Sequence, residues 1–161
     1  MVIIERLIMH FMEGFFMIGA GLGVLGIRLK MPIMTAIACL YGLMTYSVRQ
    51  FYIINKIPFG THTFVLIACF VLLLMVLGKQ TFFTSLSASL ISLVLLIMAD
   101  GVILAPALTY LRINPVTIAT KPGGLLLAGL ISNALLIVTF FITYVLKIQF
   151  ASLVFEIKNK G

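Results

Sequence analysis

The chain has 161 residues, of which 63% are hydrophobic and 9% charged, with a net charge of +7. Water-soluble domains carry about 25% charged residues, so this composition belongs to lipid. The eleven Lys and Arg sit mostly between apolar runs, where they hold helix ends at headgroups. No basic tract or stacking platform is present, which excludes nucleic acid as a partner.

Backbone amides that cross a bilayer must be satisfied internally, leaving helices or closed barrels. The apolar runs are continuous and lack the period-two alternation of barrel strands. An all-α fold is therefore expected: a polytopic transmembrane helical bundle in one domain, with the lipid bilayer as its first partner. At about 20 residues per crossing, the pattern predicts five spanning helices.

The first is expected over about 7–27, bracketed by Arg6 and Arg28. Glu5 precedes it where a secretory signal would be basic, so it reads as a retained span rather than a cleaved leader. The second, about 32–54, opens on Pro32, a favourable first-turn residue. The third covers about 59–77, the fourth about 81–108 and the fifth about 122–146. The segment RINPVTIATKPGG before the fifth carries two prolines and paired glycines and reads as an ordered loop. The tail, 147–161, is too short and polar to span again and is expected to continue the fifth helix.

Small residues recur at helix-packing spacing: Gly19 with Gly23, Ser85 with Ser89, and Gly124 with Ala128. Such faces allow close backbone approach. They serve either packing inside the bundle or a homo-oligomer interface. Cys39 and Cys69 lie inside apolar runs and read as small packing residues.

Threading five helices through a bilayer brings the polar exceptions to one side, called A, where the N-terminus lies. His10 and Glu13 fall in the A half of the first helix. Arg49 ends the second, His62 starts the third, Asp100 lies in the A half of the fourth, and Asn133 lies deeper in the fifth. About eighteen residues precede Asp100 in its helix, or about 27 Å at 1.5 Å per residue. Asp100 is thus expected near the A headgroups, either as an interfacial acid or in a polar pocket, paired with Arg49 or His10. His10 and Glu13, three apart, share a helix face. An HxxE pair alone lacks the third ligand that zinc needs, so no metal and no cofactor are expected. Walker A, HExxH and nucleophile-elbow patterns are absent, and no enzyme is expected.

Several blocks resemble a known family. These are VIIERLIMHFMEGFFMIGAGLGVLGIR with its Glu5-Arg6 pair, IPFGTHTFVLIACFVLLL with the Pro58-Phe59-Gly60 turn and His62, and ADGVILAPALTYL with Asp100, followed by Asn114-Pro115. Together they resemble the N-terminal membrane domains of agr-like, GHKL-type sensor histidine kinases of Gram-positive bacteria. The resemblance implies a multi-pass plasma-membrane sensor domain engaged in signal transduction, with N-terminus outside and C-terminus cytoplasmic. The 161 residues hold no phosphoacceptor helix or ATP-binding domain. The implied role is therefore relay to a cytoplasmic or membrane signalling partner, not kinase activity. Positive charge is six residues on side B against five on side A, which leans the same way by one. Two other classes stay open: a small transporter, channel or transporter subunit, and a self-assembling structural membrane protein.

Overall fold

The computed structural model describes residues 2–58, 60–110 and 123–146; the expected 109–122 loop, beyond its first two residues, and the 147–161 tail lie outside them. All regular structure among the described residues is helical. Helix α1 spans Val2–Val24 and α2 spans Met31–Ile54. Helix α3 spans Thr61–Val76 and α4 spans Phe82–Met98. A π-helical turn, Ala99–Leu104, joins α4 to α5, Ala105–Tyr110. Helices α6 (Gly124–Ser132) and α7 (Ala134–Phe140) follow, and a second π-helical segment, Phe141–Val145, extends α7.

Three helices are long and apolar enough to cross a membrane: Ile3–Val24, Met31–Ile54 and Phe82–Val102. A fourth span results if the bent pair Leu126–Ser132 and Ala134–Val145 counts as one. Helix α3 is apolar but only 16 residues long, about 24 Å against a hydrocarbon core of about 30 Å.

The first helix ends earlier than its apolar run suggests, and the cause is local. Gly26 takes a left-handed conformation at φ 78°. Its N–H donates to Gly23 O and that of Ile27 to Leu22 O, both at 2.9 Å. This pair of reversed bonds closes the helix, and Ile27 becomes the apolar residue beyond the cap rather than part of the span. The fourth run departs from one continuous helix for a different reason. Pro106 has no N–H to give Val102, and its ring would crowd that carbonyl. The helix widens just before it, so that Ala105 N–H reaches back to Asp100 O. The fifth run is not straight either: its axis bends by 59° at Asn133.

Helix α1 is the hub, in contact with α2, α4, α6, α7 and the second π segment, while α3 packs on α2 and α4. Close approach depends on small residues. Gly42 lies against the backbone of His10 and Phe11, and Gly21 lies under the Ala88 carbonyl and the Ser92 hydroxyl. Ser92 Oγ lies 2.8 Å from Met17 O across that crossing and 2.9 Å from Ala88 O within α4, so its one proton is shared between the two carbonyls. Gly19 lies under the Phe140 ring and Gly23 under Thr143. That glycine face is therefore covered within the chain. The core between these crossings holds Ile18, Leu22, Met34, Ile37, Phe70, Leu74 and Leu136.

The side B end is tied. Tyr144 Oη donates to Leu29 O at 2.6 Å, and Arg28 Nη2 to Thr143 O at 3.2 Å. Polarity is inverted relative to a water-soluble globule. Phe64, Val76, Phe83 and Ile97 face outward, whereas Glu13, Thr45, Ser89 and Asn133 are buried. Such an apolar exterior suits lipid.

Replacing Gly21 with Ala should lower stability by about 1–3 kcal/mol, because the new methyl meets a fixed carbonyl. At Gly101 nothing lies within 4 Å of an added Cβ, and Ala there should be neutral. Unfolding in detergent compares the two; equal melting points would mean that the α1–α4 crossing is not tight.

Candidate functional site

The polar groups converge where α2 ends and α4 gives way to its π turn. Arg49, in the next-to-last turn of α2, lines three adjoining cavities. The first, about 220 Å³, lies between α1, α2, α3 and α4 and also meets Glu13, His62 and Asp100. Its remaining wall is largely apolar, with Met17, Leu66, Phe70 and Leu93. The second, about 240 Å³, lies between α1 and α2 and meets Arg6, His10 and Tyr46. The third, about 170 Å³, lies between α1, α4 and α6, with Glu13, Asp100, Ala128, Ser132 and Asn133 in its wall.

Each side chain has a local reason for its place. His10 and Glu13 sit one helical turn apart on the buried face of α1, and His10 Nδ1 lies 3.3 Å from Glu13 Oε2. Arg49 is half-buried, with its Nε enclosed and without a hydrogen-bond partner. His62 sits in the first turn of α3, where Gly60 N–H donates to its Nδ1 at 3.2 Å. Gly60 has φ 130°, a conformation open to glycine, and it turns the chain from α2 into α3. Asn133 stands at the bend between α6 and α7. Its Nδ2 donates to Gly129 O at 2.7 Å, whereas its Oδ1 is buried without a partner.

The expected ion pair of Asp100 with Arg49 or His10 is not formed. Among the described residues the carboxylate that has a basic partner is Glu13, within hydrogen-bond distance of His10. Asp100 and Arg49 border the same two cavities, yet no hydrogen bond joins them. The physical reason is the π turn that begins at Ala99, which leaves Asp100 exposed rather than turned in onto the guanidinium.

Other expected positions divide. Ser89 lines the first cavity, and its hydroxyl donates to Ser85 O at 2.7 Å. Ser85 is buried with its own Oγ unpartnered. Ala128 lines the third cavity, and Gly129 beside it is covered by Met9. Gly124 only opens α6. Among the described residues no group of three His, Cys, Asp or Glu is arranged to hold a metal ion.

Several polar cavity residues escaped the sequence reading: Tyr41, Tyr46, Gln50, Thr63 and Ser132. Tyr41 is buried in the wall of the first cavity with its ring 5.0 Å from that of Phe70. Ser132 lines the third. The available signal for Ser132 was its neighbour, since Ser-Asn inside an apolar run marks a place where the helix can break. Set against known protein families, curated proteins and solved structures, the chain finds no match.

Loss of one partner from a buried pair costs about 3–5 kcal/mol. His10→Phe, which strands Glu13, should therefore destabilise the bundle by that order. Glu13→Gln keeps a hydrogen-bonding group at the same place and should cost less. Denaturant unfolding of both variants reads the order; equal losses would mean that the 3.3 Å contact is not coupled.

Proposed function

We propose that the chain is a polytopic membrane domain of sensor type, like those ahead of agr-like histidine kinases. It receives a small polar signal in the cavities around Arg49 and passes the change to a signalling partner. In this reading the bent α6–α7 pair is one span and the short α3 is another, which gives five crossings. A short span is accommodated by local bilayer thinning at modest cost. Side A, with the cavities, faces outside, and side B faces the cytoplasm.

The observation that carries the reading is that the cavities border two irregular helices. The π turn starts at Ala99, next to Asp100, and the 59° bend falls at Asn133; both residues line the third cavity. π-helical turns inside α-helices often lie at functional sites. A ligand that prefers one arrangement of such a turn shifts the population by its differential affinity. The second π segment, at the side B end, would carry the shift toward the partner.

A transport reading has one feature in its favour, since broken spans at a polar site also occur in transporters. Against it, the side B half of the bundle is filled by Leu22, Leu74 and Phe140. Of the hydroxyls there, Ser92 and Thr143 are committed to backbone carbonyls, and Ser85 is buried with its Oγ unpartnered.

Reporters inserted in the 25–30 and 77–81 connections should read cytoplasm, and one in the 55–60 connection should read exterior. The opposite pattern would invert the site and remove the outside-signal reading. Spin labels at Val94 and Val138, both exposed, test the relay in a cysteine-free background. Two distance populations are expected, with a ratio altered by Asp100→Asn. A single population, unchanged by that substitution, would overturn the relay, and ion flux in proteoliposomes would favour transport.

A further inference from the structure

We infer that the first and third cavities together form a site for a primary ammonium group carrying a small apolar body. The inference rests on the signal-binding reading of these cavities and names the ligand class.

Charge comes first. The side chains that line these two cavities include two carboxylates, Glu13 and Asp100, and one guanidinium, Arg49. With histidines counted as neutral, so that His10 is a hydrogen-bonding partner of Glu13 and not a counter-charge, the formal sum is −1. Inside a low-dielectric bundle an excess carboxylate draws a cation, and its attraction is screened far less than at a water-exposed surface.

Hydrogen bonding gives a second and independent observation. Asn133 is 4% exposed and lies in the wall of the third cavity. Its amide orientation is fixed, because the Gly129 carbonyl can only accept and so takes Nδ2. Oδ1 is left as a buried acceptor without a donor. An orphaned buried acceptor costs about 1–3 kcal/mol. A group with several N–H donors and a positive charge answers both the acceptor and the excess carboxylate. An ammonium has three donors and fits that description.

Shape supplies the apolar part. Glu13, Arg49, Leu96 and Asp100 border both cavities, so a ligand held by its ammonium on the carboxylate side, near Asp100 and away from the guanidinium, has the first cavity beside it. Leu66, Phe70 and Leu93 line that space, and its volume of about 220 Å³ holds a short aliphatic chain. Asp100 is exposed, which gives the charged head a way in. A free amine and the ethanolamine headgroup of a lipid share this chemistry.

The test is binding of radiolabelled n-butylamine to the full chain in phosphatidylcholine nanodiscs, against empty discs. Saturable binding is expected, not competed by butanol. Asp100→Asn and Asn133→Leu should each weaken it at least about tenfold, the loss expected for one charge-assisted hydrogen bond. Asp100 is exposed, so its variant keeps the test open if Asn133→Leu misfolds. Competition by phosphatidylethanolamine discs would identify the lipid headgroup as the source, and its absence a free amine. Equal competition by sodium ions, or binding unchanged in both variants, would overturn the ammonium site.

The Val94–Val138 distance separates this inference from the relay. Butylamine binding with no distance change upholds the site and removes the relay. A distance change in Asp100→Asn without amine binding does the reverse.

Discussion

Polar groups in a lipid-facing bundle must find their partners inside the protein, and this one requirement organises the structure. Ser92 adds a second donor to the Met17 carbonyl across the α1–α4 crossing, Arg28 and Tyr144 reach carbonyls at the side B end, and Asn133 Nδ2 joins its own backbone N–H on Gly129 O at the bend. Polar side chains are therefore drawn inward, and the exterior is left to Phe64, Phe83 and their like. Helices can be irregular only where such donors or a cavity stand beside them. The π turn and the bend both occur at the third cavity, where that condition holds.

Arg49 is the complement of this arrangement. It is a donor with its Nε enclosed and unpaired, and three cavities meet at it. Neither Glu13 nor Asp100 closes on it as a salt bridge. A fully paired cluster would hold a single state. One whose charges face each other across open space can respond to what enters, at some cost in stability.

The reach of the sequence follows from the kind of signal each feature leaves. Apolar run length located the helical regions among the described residues, but not the five expected spans: three helices are long and apolar enough to cross, or four if the bent pair is one. Alternation of the crossings puts the polar residues at one end of the bundle, and His10, Glu13, Arg49, His62, Asp100 and Asn133 each line at least one of the three cavities. Helix ends were less legible. The closing turn at Gly26 left Ile27 outside α1, although Ile27 belongs to the same apolar run. The widened turn before Pro106 and the bend at Asn133 were hidden for a related reason, because hydropathy is blind to hydrogen-bond register. Partner choice within the cluster was legible only in part: the spacing of His10 and Glu13 put them on one face, whereas the missing partner of Asp100 left no mark in the sequence. One turn of geometry joined Glu13 to His10 and left Asp100 exposed.

The hub position of α1 has a consequence for the order of synthesis. Gly19 and Gly23 are covered by Phe140 and Thr143, and the ties to Leu29 and Arg28 span 115 positions of sequence. At about 5–20 residues per second, those partners emerge roughly 6–23 s after α1. Throughout that interval the first helix lies in the bilayer with its glycine seam open to other proteins there. The nascent chain is thus most vulnerable to wrong helix pairing before its last helix arrives, and least so once that helix closes over the first.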